Sequence, residues 1–147
     1  MRARALLTAL PSDTQSWPLV FIQRFLEDMG YEVECLGPAP SYDEILEACR
    51  KNTPSLLVVS SLAGQAYMEG LELARRLRFL SDRNEMKLVG GGKLGTEREV
   101  EAFYAGELRN AGFDGVYSGP KGVEGFLAFL DRQVTDAAVP LRVSVGL

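Results

Sequence analysis

The chain has 147 residues, of which 46% are apolar and 24% charged, and its formal net charge is −4. This length supports one hydrophobic core, and the scattered Lys and Arg residues exclude the basic surface of a nucleic-acid-binding protein. The apolar runs fall far short of the roughly 20 residues that span a bilayer, so no membrane crossing is expected. There is no histidine, so no imidazole of this chain can ligate a metal.

Two cysteines, Cys35 and Cys49, are present. Two thiols without histidine fit neither a disulfide framework nor a zinc site, which needs four nitrogen or sulfur ligands. They are typical of a reducing compartment, and we expect a cytoplasmic protein.

Short β-rich runs alternate with segments of helical period, which predicts βα units and a parallel sheet. Arg4–Leu10 is the first predicted strand, followed by a helix that ends at Gly30 and by a second strand at Tyr31–Leu36. The apolar positions of that first helix are Leu19, Phe21, Ile22, Phe25, Leu26 and Met29.

The middle of the chain carries the clearest helix signal. Ser41 and Glu44 have the spacing of a capping box, which predicts a helix that ends before Pro54. Leu56–Val59 then reads as a strand buried on both faces.

Two further units follow in the second half of the chain. Leu71–Leu80 marks a third helix, and Lys87–Val89 a fourth strand that three glycines end in a turn. Thr96–Glu99 predicts a second capping box, for a helix that ends near Gly112.

The last unit closes the predicted domain. Gly115–Tyr117 is the fifth strand, and Phe126–Leu130 lies on the last helix. We expect one domain over residues 1–134 and a tail over 135–147. Five alternating units predict a flavodoxin-like (Rossmann-like), doubly wound α/β fold with a five-stranded parallel sheet in the order 2-1-3-4-5.

Ligands of open α/β sheets bind beyond the carboxyl ends of the strands, where the strand order reverses. Three predicted loops meet there: Pro11–Pro18, Ser60–Gln65 and Gly90–Lys93. Each loop alone is better explained as a helix cap, a strand end or a plain turn.

Taken together, the three loops resemble the cobalamin (vitamin B12)-binding domains of B12-dependent mutases, above all the small subunit of glutamate (methylaspartate) mutase. That family carries Asp-x-His-x-x-Gly after strand one, Ser-x-Leu after strand three and Gly-Gly after strand four. This chain has Asp13-Thr-Gln15-Ser-Trp-Pro18, Ser60-Ser-Leu62 and Gly90-Gly91. The resemblance extends over nearly the whole chain, including Met29-Gly-Tyr-Glu-Val33 and Ala111-Gly-Phe-Asp114.

The resemblance implies a cobalamin cofactor, either adenosylcobalamin or another corrinoid, whose dimethylbenzimidazole tail inserts beside the sheet. A buried ring nitrogen needs a hydrogen-bond donor, and close approach of a flat base needs small residues. The implied cofactor-binding residues are Asp13, Thr14, Gln15, Trp17, Ser60, Ser61, Leu62, Gly64, Gln65, Gly90, Gly91, Gly92, Tyr117 and Gly119.

The chain departs from the family where cobalt would be ligated. Gln15 stands in place of the histidine, and an amide is a poor ligand for a soft transition metal. Pro18 replaces the glycine of that motif, and Gly119-Pro-Lys121 stands where the family has Gly-Thr. No metal ligand and no catalytic residue is therefore assigned.

Three hypotheses remain open. The first is a corrinoid-binding subunit without a protein ligand to cobalt, part of a carbon-skeleton isomerase or of a methyl-transfer system. The second is a diverged small subunit that has lost the cofactor and acts as an interaction or regulatory partner. The third is a receiver or nucleotide-binding domain. Receivers have an aspartate at the end of strand three, whereas this chain has Ser60 there, which argues against a receiver.

The predicted crevice lacks a nucleophile with a neighbouring base, so catalysis by this chain alone is not expected. The resemblance implies a larger TIM-barrel catalytic subunit as partner, in a heteromeric enzyme. The substrate, the upper axial ligand, the oligomeric state and the effect of Trp17 and Pro18 on the corrin site are not given by the sequence.

Overall fold

A computed structural model describes residues 3–13, 17–61, 66–80, 86–92, 98–118, 125–130 and 132. The strands are β1 (Arg4–Thr8), β2 (Glu32–Cys35), β3 (Leu56–Ser61), β4 (Lys87–Gly92) and β5 (Gly115–Ser118). The helices are α1 (Trp17–Asp28), α2 (Tyr42–Asn52), α3 (Ala66–Leu77) and α4 (Arg98–Ala111), and residues 125–130 are also helical.

The five strands form one parallel sheet in the order β2-β1-β3-β4-β5. The chain leaves β1 toward β2 at one edge and later returns to the other side of β1 with β3. The order therefore reverses between β1 and β3, and the predicted doubly wound fold is confirmed.

Strand residues alternate between two apolar layers, as the two-residue period of a strand requires. Leu57, Val59 and Leu88 pack in the layer toward α2, α3 and α4. Val58 and Val89 pack in the opposite layer, toward α1 and helical residues 125–130. The second layer is called the α1 face below.

Helix α2 begins as its sequence predicts. The Ser41 hydroxyl accepts a hydrogen bond from the Glu44 backbone N–H at 3.1 Å, and the Glu44 carboxylate accepts one from the Ser41 N–H at 3.0 Å. The capping box is confirmed. The helix ends at Thr53, whose left-handed φ of 41° turns the chain before Pro54.

The prediction of a glycine turn after β4 is wrong. Gly90, Gly91 and Gly92 belong to β4 and keep their register with both neighbours, β3 and β5. Glycine by itself does not favour an extended backbone. Here the backbone stays extended because β4 lies between two strands and pairs with both.

Two further expectations are corrected. Phe21 was assigned to the apolar positions of the first helix, but its side chain is 72% exposed. Leu19 and Leu26, two and five positions away, make the buried contacts of α1 instead. The third strand is also longer than predicted and continues through Ser60 to Ser61.

Some sequence-based expectations lie outside the described residues, namely the capping box at Thr96 and the tail over 135–147. Within the described ranges, no helix combines the length and the apolar character needed to span a bilayer.

Candidate functional site

Three of the predicted site residues form one row across the carboxyl end of the sheet. Ser60 of β3 is the Cα partner of Gly91 in β4, and Gly91 is the partner of Tyr117 in β5. Val58 and Val89 lie two residues earlier on the α1 face, so alternation puts the whole row on that face. The middle position of the row has no side chain.

Ser60 is a buried polar residue, with 7% of its surface exposed. No hydrogen-bond partner of its hydroxyl is found among the residues that the structure describes. A buried hydroxyl without a partner costs about 1–3 kcal/mol. Its position beside Gly91 is where a ligand with a hydrogen-bond acceptor would remove that cost.

Gly90 and Gly91 of β4 are required for different reasons. On the side of α3 and α4, a Cβ at Gly90 would lie 2.7 Å from Cε2 of Phe113, a core residue. At Gly91, a Cβ would lie 2.5 Å from the backbone carbonyl oxygen of Tyr117. The protein's own packing therefore requires both glycines, and only Gly91 belongs to the row on the α1 face.

The loop after β1 is held at the same end of the sheet. Asp13 is 4% exposed; its N–H donates to the Leu10 carbonyl at 2.9 Å and its own carbonyl accepts from the Ala39 N–H at 2.7 Å. The Ser12 hydroxyl donates to the Glu69 carboxylate at 2.7 Å. These contacts fix the loop to the first turn of α3, beside the point where the strand order reverses.

Tyr117 forms the β5 end of the row. Its ring packs at a tilt against Phe126, 6.0 Å between centroids, and against Phe129, 6.1 Å. Burial raises the pKa of the Tyr117 phenol above 10.0, and nearby Arg132 and Arg109 oppose that rise. The group is a neutral phenol at physiological pH.

Several predicted site residues lie outside the described part of the chain: Thr14, Gln15, Leu62, Gly64, Gln65 and Gly119. Trp17 is the first residue of α1 and Ser61 pairs with Gly92, but the side chains of Trp17 and Ser61 are not described. Their assignment to a cofactor stays a prediction.

Sequence reasoning missed Glu69 and Gly115. The bond from Ser12 to Glu69 joins residues 57 positions apart, and no local pattern signals it. Gly115 is different, because it lies two positions before Tyr117 in β5, and the two-residue period of a strand puts both on one face. That spacing was a signal available in the sequence.

An open groove of about 810 Å³ lies elsewhere, between β2 and α2 at the amino end of β1. Three of its acidic side chains have partners: Glu34 bonds to Asn52, Glu44 caps α2 and Glu47 pairs with Arg50. The groove extends from Arg4 in β1 to Leu36, just after β2, and its lining does not include Ser60, Gly91 or Tyr117.

The row at the carboxyl end offers one donor, one missing side chain and an aromatic border, enclosed by apolar packing. Such a site suits the edge of a flat heteroaromatic ring, not a metal ion or a nucleophilic reaction. Among the described residues, no cluster of carboxylates and thiols could hold a metal. The residues present therefore fit the tail of a nucleotide-bearing cofactor.

Comparisons with known proteins address the family and the fold of this chain. Residues 3–121 match the model of the family described as the B12 binding domain. No curated protein matches the sequence.

The fold is shared with solved structures at low identity. A cobalamin-binding protein from Desulfitobacterium hafniense DCB-2 is similar, with a TM-score of 0.69 and 19% identity over 88% of this chain. The methanol:cobalamin methyltransferase complex MtaBC from Methanosarcina barkeri gives 0.62 and 16% over 86%. The chemotaxis response regulator CheY4 of Vibrio cholerae gives 0.63 and 18% over 88%.

The comparisons differ in how much of the other chain is covered. This chain spans 59% of the Desulfitobacterium protein, 46% of the MtaBC chain and 99% of CheY4. Likeness to a receiver domain as well as to cobalamin proteins means that the fold alone does not select a function.

Proposed function

This chain belongs to the B12-binding domain family, and on that premise we propose that it binds a corrinoid whose nucleotide tail enters the α1 face beside Ser60. The observation that carries the proposal is the Ser60 hydroxyl, buried and without a hydrogen-bond partner among the described residues, next to a strand position that has no side chain. A receiver domain would need an aspartate at this position, and this chain has Ser60 there.

Each residue of the row has a role in this proposal. Ser60 donates a hydrogen bond to a ring nitrogen of the tail, which satisfies both buried groups. Gly91 leaves the position between Ser60 and Tyr117 free of a side chain. Helix α1 and helical residues 125–130 exclude water from the face, which strengthens that hydrogen bond.

At the cobalt end of the cofactor, this chain departs from the family motif, which carries a histidine. The bound corrinoid supplies a cobalt centre that carries an alkyl group. This chain contributes no imidazole to it, because the chain has no histidine. Under this proposal Gln15 and Trp17 would be a polar neighbour and an apolar cover of the corrin, not ligands to its cobalt.

The motifs quoted above support a finer assignment, to the binding subunit of an enzyme of the glutamate (methylaspartate) mutase type. A larger catalytic partner, of the TIM-barrel class, would hold the substrate over the upper face. A structural relative, MtaBC, is a methyltransferase complex, and a site without an imidazole ligand suits methyl transfer as well as isomerisation. The upper ligand, adenosyl or methyl, separates the two reactions.

One observation favours a second candidate, a subunit that has lost the cofactor and binds a protein. Val20 and Phe21 are 67% and 72% exposed on α1, within one turn of Trp17. Exposed apolar side chains grouped in this way mark interaction surfaces. This candidate differs from the first in predicting no affinity for corrinoids.

A titration separates the two candidates. The purified chain is mixed with hydroxocobalamin and with adenosylcobalamin, and binding is followed by the corrinoid spectrum and by quenching of Trp17, the chain's single tryptophan. Saturable binding supports the first candidate. A chain that binds neither corrinoid, although folded by circular dichroism, contradicts it.

A variant pair tests the role of Ser60. Ser60→Ala should weaken cobalamin binding by about tenfold, which corresponds to one hydrogen bond of about 1.4 kcal/mol. Ser55→Ala removes an exposed hydroxyl just before the same strand, one that donates to the Arg4 carbonyl; it is the matched control and should bind cobalamin as wild type does. Equal affinity of both variants would remove Ser60 from the site.

A further inference from the structure

The ring of Tyr117 lies in a niche made by two glycines. A Cβ at Gly115 would lie 2.6 Å from the Tyr117 hydroxyl oxygen and 2.8 Å from Cε2. A Cβ at Gly125, in helical residues 125–130, would lie 2.8 Å from Cδ1 of the same ring. Side chains at positions 115 and 125 would therefore fill the volume that the Tyr117 ring now occupies.

The niche directs the ring away from the candidate site. Gly115 is two residues before Tyr117 in β5 and is the Cα partner of Val89, whereas Tyr117 is the partner of Gly91. The ring thus leans toward the amino end of β5, one pleat away from the row of Ser60 and Gly91. The nearby Arg132 guanidinium opposes the rise in the pKa of the Tyr117 phenol.

Tyrosine side chains occupy a few staggered χ1 wells, and strands allow more than one of them. A methyl group at Gly115 would overlap the ring where it now lies. Because the ring is the movable partner in that contact, it would leave the niche by adopting another χ1 rotamer. The ring would then turn toward the carboxyl end of the α1 face, which lies beside the niche.

We propose that Gly115 and Gly125 hold the Tyr117 ring in this niche and thereby keep the space between Ser60 and Tyr117 open for the nucleotide tail. This inference rests on the proposed function. It makes the two glycines positioning residues: they do not touch the cofactor, and they act through Tyr117.

The test compares two corrinoids, cobalamin and cobinamide, since cobinamide lacks the nucleotide tail. Gly115→Ala should raise the dissociation constant for cobalamin about tenfold or more and leave that for cobinamide within about twofold. The double variant Gly115→Ala/Tyr117→Ala should bind cobalamin more tightly than Gly115→Ala alone, because the displaced ring is gone.

Gly106→Ala is the matched control, since a Cβ at Gly106 meets no atom within 4 Å. It should bind both corrinoids as wild type. Gly125→Ala introduces a methyl group from the other side of the ring and should reproduce Gly115→Ala, which keeps the test decisive if one variant does not fold. Folding is checked by circular dichroism and urea unfolding.

A readout without cofactor completes the test. In the unliganded protein, Gly115→Ala should shift the NMR resonances of the Tyr117 ring, which now lies beside Phe126 and Phe129. Unshifted ring signals would contradict displacement of the ring.

The binding outcomes separate the two proposals. Folded Gly115→Ala that binds cobalamin as wild type, or loses both corrinoids equally, overturns this inference and leaves the proposed function standing. Failure of the double variant to regain affinity overturns it as well. Wild-type protein that binds neither corrinoid overturns the proposed function, and this inference with it.

Discussion

Ser60 and Gly91 are Cα partners on adjacent parallel strands, one a buried hydroxyl and the other a position where no side chain fits. The pair combines a donor with a neighbouring position that carries no side chain on one sheet face. Neither residue has that meaning alone, because a buried serine is often a strand residue and a strand glycine often marks close packing. Their register makes them a candidate site.

Gly91→Ala should destabilise the fold strongly. The added Cβ would lie 2.5 Å from the Tyr117 carbonyl oxygen, and a paired backbone cannot move as cheaply as a side chain. We expect a loss of about 1–3 kcal/mol in the free energy of unfolding, measured in urea. Gly106→Ala, in α4, should be neutral or slightly stabilising, and equal stability of the two variants would refute the close approach.

Ser41→Ala should remove the cap of α2 without affecting the candidate site. The variant loses the hydrogen bond that the Ser41 hydroxyl accepts from the Glu44 N–H, at a cost of about 0.5–2 kcal/mol, whereas the backbone N–H of residue 41 can still donate to Glu44. Ser41→Asp, which retains an acceptor, should recover most of that loss. Thermal unfolding measures the effect, and unchanged corrinoid affinity in both variants is expected because α2 packs on the other face of the sheet.

Restoring a family ligand should change the metal environment. Gln15→His combined with Pro18→Gly provides an imidazole and removes a rigid residue at the lower face. We expect a shifted absorbance spectrum and nitrogen splitting in the electron paramagnetic resonance of the reduced cobalt form. If both spectra match those of wild type, residue 15 does not face the metal.

Stability should fall at alkaline pH in part through Tyr31. Burial raises the pKa of this phenol above 10.0, so the folded state holds its proton more tightly than the unfolded state does. The stabilisation is complete below pH 10.0 and is lost as the pH rises through the folded-state pKa. Urea unfolding at a series of pH values should show a shallower alkaline decline in Tyr31→Phe; an identical decline would refute this contribution.

Several parts of the fold follow from local sequence. The alternation of β-rich and helical segments predicted the order 2-1-3-4-5, which the structure has. Ser41 and Glu44 predicted the start of α2, because a capping box needs only residues three apart. Such features depend on neighbours in the chain, so one sequence suffices to find them.

The limits of β4 depended on other strands. Three consecutive glycines favour a turn locally, yet Gly90, Gly91 and Gly92 remain extended because β3 and β5 pair with them on both sides. Phe21 has the sequence spacing of a core residue, yet its side chain is exposed. The packing of α1 on the sheet decides which face of the helix is buried.

By itself, the sequence determined the fold class, the absence of an imidazole ligand and the resemblance that named Ser60, Gly91 and Tyr117. Tertiary structure alone decided that these three form one row, that Gly90 serves the opposite face and that Gly115 and Gly125 enclose the Tyr117 ring. The reason is physical: residue types and local periods are written along the chain, whereas strand register and side-chain volume arise between segments far apart in it.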